Sequence, residues 1–152
     1  MTRVPLPALV LGWLGLIPFV YAVMLLFSVP GSLPTFGLAP PGPAGGLHVL
    51  RFFGAAILAF MGGCLWGFAS APPRFPRWIF LAAAGLPAIA AYLAIQPNPA
   101  QSCVFLAFGF MILQGIDILF QRLSIAPAYW LSLRLPLTAG VMACLLVGAI
   151  HG

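Results

Sequence analysis

The chain has 152 residues, of which 63% are apolar and 5% charged, with a formal net charge of +5. A water-soluble domain carries about 25% charged residues, so there is too little polar side chain here to cover a surface facing water, and lipid is the implied solvent. All 6 basic residues are arginines, and they form neither a patch nor a stripe, which excludes a nucleic-acid footprint.

Crossing a bilayer takes about 20 apolar residues in a helix. Five stretches meet that need, over roughly 6–28, 47–69, 78–96, 102–121 and 129–150. The first follows Arg3 and is about twice the length of a signal-peptide core, with no small-residue cleavage site after it. It is expected to be a retained helix. The next segment, Val29–Gly46, holds five prolines and five glycines without a charge and should be an extended, irregular loop.

In the second stretch Ala55, Ala59, Gly63 and Gly67 recur every fourth residue, with Trp66 beside them. Such a small-residue ridge permits close helix approach. It is expected to pack inside the protein. The third stretch is the shortest and follows the basic, Pro-rich "SAPPRFPR". "PNPAQ" reads as a tight turn before the fourth stretch, and "LSIAPA" joins the fourth to the fifth. Pro18, Pro87 and Pro136 fall inside stretches one, three and five, where neighbouring groups must satisfy the carbonyl that each proline frees. The expected fold is all-α: a single five-helix transmembrane bundle over residues 1–152, with no soluble domain.

The arginines set the expected orientation. With the N-terminus inside, Arg3, Arg74, Arg77 and Arg122 share the cytoplasmic side, and Arg51 alone lies near the outer one. The positive-inside rule then places the C-terminus outside. Trp78, Tyr129 and Trp130 stand at helix starts, as an aromatic belt does.

Asp117 is the sole acidic residue, and it stands in an apolar run. It lies four residues before the end of the fourth stretch, about 6 Å deep, while Arg134 lies about 7–8 Å into the fifth. Two opposite charges at one depth on adjacent antiparallel helices can neutralise each other. Gln114, Asp117 and Gln121 share one face of the fourth helix, and Thr138 lies one turn beyond Arg134. One buried polar network of Asp117, Arg134, Gln114, Gln121 and Thr138 is therefore expected. A structural clamp is favoured over a proton-handling site, because a carboxylate already neutralised by a cation is a poor proton carrier.

Other chemistry has little support. Cys64, Cys103 and Cys144 have no metal-ligand spacing, and His48 and His151 have nothing to bring their rings together. No metal or other cofactor is expected. No hydrolase, zincin or phosphate-loop motif occurs. A single acid excludes two-carboxylate chemistry, so no enzymatic activity is expected.

Three segments carry a family resemblance. They are "LGWLGLIPFV", "FFGAAILAFMGGCLWGFA" and "DILFQRLSIAPAYWLSLRLPLT", with Gly62, Gly63, Trp66, Gly67, Asp117, Trp130 and Arg134 at their centre. The chain resembles the uncharacterised membrane family named for transmembrane protein 69, also called domain of unknown function 3429. That family occurs in proteobacteria and mitochondria. The resemblance implies a five-helix inner-membrane protein and no established activity. With no mitochondrial presequence evident, a bacterial inner membrane is the expected location. The expected role is a non-catalytic accessory or assembly factor that meets lipid and another membrane protein. The alternative is a small transporter or channel with its polar path at Gln114, Asp117 and Arg134.

Overall fold

The structure is a computed structural model that describes residues 4–35, 37, 39–71 and 77–152. Arg3 and Arg74 lie outside the described residues. The described chain is helical throughout its regular parts: α1 (Leu6–Leu14), α2 (Ile17–Leu26), α3 (Pro43–Ala69), α4 (Arg77–Leu93), α5 (Pro99–Arg122) and α6 (Trp130–His151).

The first apolar stretch forms two helices in line rather than one. Pro18 has no N–H to donate to the carbonyl of Leu14, and its ring crowds that carbonyl. Helix α1 ends at Leu14, two tight turns follow (Leu16 N–H to Trp13 O, Phe19 N–H to Leu16 O), and Pro18 sits in the first turn of α2. The second and fourth stretches start earlier than their apolar runs suggest. Pro43 and Pro99 open α3 and α5, where a missing N–H costs nothing. Asn98 caps α5 by accepting from the backbone N–H of Ala100 at 2.9 Å, so most of "PNPAQ" belongs to the helix rather than to a turn. The end of α5 closes through Ser124 at φ +56°, with the Ile125 N–H donating to Phe120 O at 2.8 Å.

From α2 onward, helix directions alternate along the chain. Gly46 of α3 faces Ala22 and Leu26 at the end of α2, while Gly54 faces Phe19 further back. Gly62 lies against Ala84 and Pro87 of α4, and Gly109 of α5 lies against both Leu58 and Ala90. Cys103 of α5 meets Gly148 near the end of α6, and Asp117 meets Arg134 near its start. One end of the bundle thus gathers the start of α1, the end of α3, the start of α4, the end of α5 and the start of α6. Arg122 lies at that end.

Four helical segments are long and apolar enough to cross a membrane: Leu6–Leu26, Pro43–Ala69, Pro99–Arg122 and Trp130–His151. Helix α4 is apolar but has 17 residues, or about 25 Å at the α-helical rise, short of a hydrocarbon core of about 30 Å.

The core is a continuous cluster in which Leu50, Leu58, Leu65, Leu106, Phe110 and Phe120 are buried. Phe105, Phe108, Met111 and Ile112 of α5 point outward. An apolar exterior over a packed interior is what a lipid solvent requires.

The glycine ridge requires a correction. Ala55 and Ala59 are half-buried against the core, but Gly63 and Gly67 are exposed, with nothing within 4 Å of the position a Cβ would take. Trp66 beside them is exposed as well. The row that packs is the neighbouring one, Gly46, Leu50, Gly54, Leu58 and Gly62. Successive helical residues are about 100° apart, so the two rows face different directions. Small residues permit close approach, but large ones supply the contact. Leu50 and Leu58 fill space left by Gly148 and Gly109, and Gly62 admits the backbone of α4, with Ala84 O 2.8 Å from its virtual Cβ. Pro87, fully buried, packs at the same place.

Candidate functional site

The polar site lies between α5 and α6, near the end of the bundle that carries Arg122. Asp117 is fully buried, and Arg134 is 5% exposed. Arg134 Nε donates to Asp117 Oδ2 at 3.1 Å, which makes a buried ion pair. Trp130 Nε1 donates to Asp117 Oδ1 at 2.6 Å. Both carboxylate oxygens are thus held by donors from α6. Trp130 and Arg134 are four residues apart, one turn, so they present these donors on one helix face.

The tryptophan is a departure from the expected aromatic belt. Trp130 is buried and works inside the bundle, whereas Trp78 is largely exposed. The Trp130 ring packs edge-on against Phe68 of α3 with centroids 4.9 Å apart, and the Arg134 guanidinium carbon lies 5.9 Å from the Trp130 ring centroid. One residue therefore joins α3, α5 and α6. Its spacing from Arg134 was the available signal in the sequence.

The other expected members do not close one network. Gln121 donates its side-chain amide to Ala128 O at 3.2 Å and so ties the loop between α5 and α6. Both polar atoms of Gln114, the Thr138 hydroxyl and Arg134 Nη2 are enclosed and have no hydrogen-bond partner. An arginine offers five N–H donors, and Arg134 commits one of them to Asp117.

Each histidine packs on a phenylalanine ring. His48 packs on Phe52 with centroids 4.6 Å apart, and His151 packs on Phe27 at 4.9 Å. The three cysteines are free thiols. Among the described residues, no cluster of three metal-ligating side chains is present.

Arg134 also lines a groove of ≈ 350 Å³ bounded by α1, α2, α3 and α6. Leu11, Leu16, Met61, Cys64 and Leu137 form much of its wall. No residue of α1 is buried, so this side of the groove is thinly packed.

A helical bundle with an apolar exterior and a buried ion pair defines an integral membrane protein. The model of the family described as "Protein of unknown function (DUF3429)" matches residues 4–150, and the chain belongs to that family. It is 34% identical over 150 residues to "Transmembrane protein 69" of Xenopus tropicalis, an alignment that covers 96% of this chain and 54% of the frog protein. The chain spans about half the length of that curated relative. No solved structure matches it.

Proposed function

We propose that the chain is a five-span protein of a bacterial inner membrane that works without catalysis, as an accessory or assembly factor of a larger membrane complex. The observation that carries this reading is the engagement of both Asp117 oxygens by Trp130 and Arg134. The sole acid of the sequence acts as a clamp between helices, not as a free acid or base. The outward Gly63 and Gly67 give α3 a side on which a helix from another protein can come close. The N-terminus lies in the cytoplasm, as the shared side of Arg3, Arg74, Arg77 and Arg122 argues. Helix α4 completes the crossing with the short segment that follows it.

The test is purification of the tagged protein from its own membrane in a mild detergent, beside the Gly63→Leu variant. A stoichiometric partner lost in the variant supports this role. A protein that always emerges alone overturns it.

The second reading is a small transporter or channel. It is favoured by the unpartnered Gln114 amide, Thr138 hydroxyl and Arg134 Nη2, which a water-filled path would satisfy. Reaction of a cysteine placed at Gln114 with a water-soluble thiol reagent would support that reading.

A further inference from the structure

We propose that the groove lined by Arg134 binds a neutral lipid, with its hydrocarbon tail along the apolar wall and a carbonyl oxygen accepting from the Arg134 guanidinium. This inference rests on the lining of the groove and on Arg134, and does not depend on the accessory role.

Size and lining come first. The ≈ 350 Å³ of the groove lies within the range of small-molecule sites, about 300–1,000 Å³. Its wall is almost wholly apolar, and Arg134 is its one charged member. That side chain is 6% exposed, its Nε is committed to Asp117, and its Nη2 has no acceptor. An enclosed donor without a partner is costly, so the site is completed by a group that supplies an oxygen.

Charge decides what kind of oxygen. Asp117 already neutralises Arg134, and no other acid exists in the sequence. A carboxylate or phosphate entering the groove would bring an unmatched negative charge into a medium of low dielectric constant. A neutral carbonyl accepts the hydrogen bond without that cost.

Depth agrees with this choice. Arg134 is four residues into α6, about 6 Å from its start along the helix axis. That is the margin of the hydrocarbon region, where the ester carbonyls of membrane lipids lie. Helix α1 has no buried residue, so it can shift to admit a chain.

The test uses the full chain in phosphatidylcholine nanodiscs that contain a small fraction of a diacylglycerol with a photoreactive diazirine in its acyl chain. A fatty acid with the same modified chain is used in parallel. Mass spectrometry locates the adducts. The expected result is diacylglycerol labelling concentrated at Met61, Cys64 and Leu137, and displaced by unlabelled diacylglycerol. Ala8→Phe, which fills the groove from thinly packed α1, should reduce groove labelling about tenfold, and labelling of the outward-facing Phe105, Phe108 and Met111 should be unchanged. Arg134→Lys keeps a cation beside Asp117 but withdraws the guanidinium, and should also lower the capture. Even labelling of the whole lipid-facing surface, labelling indifferent to Ala8→Phe, or preference for the fatty acid would each overturn the proposal. So would capture at the wild-type level by a folded Arg134→Lys protein.

Discussion

The indole of Trp130 and the carboxylate of Asp117 are joined by a hydrogen bond of 2.6 Å inside the bundle. This contact comes from the residue next after the loop that links α5 to α6. It ties the first turn of α6 to the last turns of α5 just where the chain reverses. Arg134, one turn further along, holds the other carboxylate oxygen.

That hydrogen bond has a measurable worth. Trp130→Phe keeps an aromatic ring beside Phe68 but leaves Oδ1 of Asp117 without its donor. Hydrogen bonds to charged groups contribute about 1.5–3 kcal/mol. The variant should lose about that much in reversible denaturation in detergent micelles. A loss near zero would show that another donor takes the place of the indole.

The ion pair should behave as a coupled unit. Asp117→Asn or Arg134→Gln alone leaves one buried charge without its partner, at a cost of about 3–5 kcal/mol. The double variant leaves no orphan charge, so its loss should fall clearly below the sum of the two. A double-mutant cycle on purified protein measures this. Additive losses would mean that Nε and Oδ2 do not interact in solution.

Two neighbouring glycines of α3 should respond in opposite ways. A Cβ at Gly62 would come within 2.8 Å of the Ala84 carbonyl and 3.2 Å of Pro87 Cβ, both fixed parts of α4. Gly62→Ala should therefore cost about 1–3 kcal/mol by overpacking, and Gly62→Leu should prevent folding. Gly63→Leu points its side chain into open space and should leave the yield and melting of the isolated protein unchanged. Equal sensitivity at both positions would mean that α3 is rotated from the orientation described.

The proposed topology is read with reporters. A reporter fused after Gly152 should be active only if it works in the periplasm, and one in the loop before Arg77 only if it works in the cytoplasm. Cytoplasmic activity after Gly152 would reduce the number of spans, with α4 the first to be reassigned.

Much of this arrangement is written in local patterns, and some of it is not. The shared depth of Asp117 and Arg134 follows from counting residues from two helix ends, because the helical rise is fixed. The part played by Trp130 is less visible. A tryptophan at a helix start looks the same whether its N–H faces headgroups or a buried carboxylate, and the decision rests on how α6 is rotated. Rotation also separates the two small-residue rows of α3, which composition alone ranks alike. Leu50 and Leu58 decide between them by filling the spaces at Gly148 and Gly109, contacts that depend on helices far apart in the chain. Likewise, Gln114 and Thr138 lie on the expected elements, but the adjacency of helix faces did not supply them with partners.

The break between α1 and α2 has a consequence for how the protein is made. Helix α1 packs chiefly against α6, with Gly12 at Leu133 and Leu137. Helix α1 is made well before α6 and so waits for α6 before it finds its neighbour. Until then α2 can already rest on α3, while α1 has only lipid to meet. Closing a contact between elements so far apart in sequence comes late in the assembly of this bundle. A chain released before α6 is complete would display that unclaimed half-helix to the machinery that removes unfinished membrane proteins.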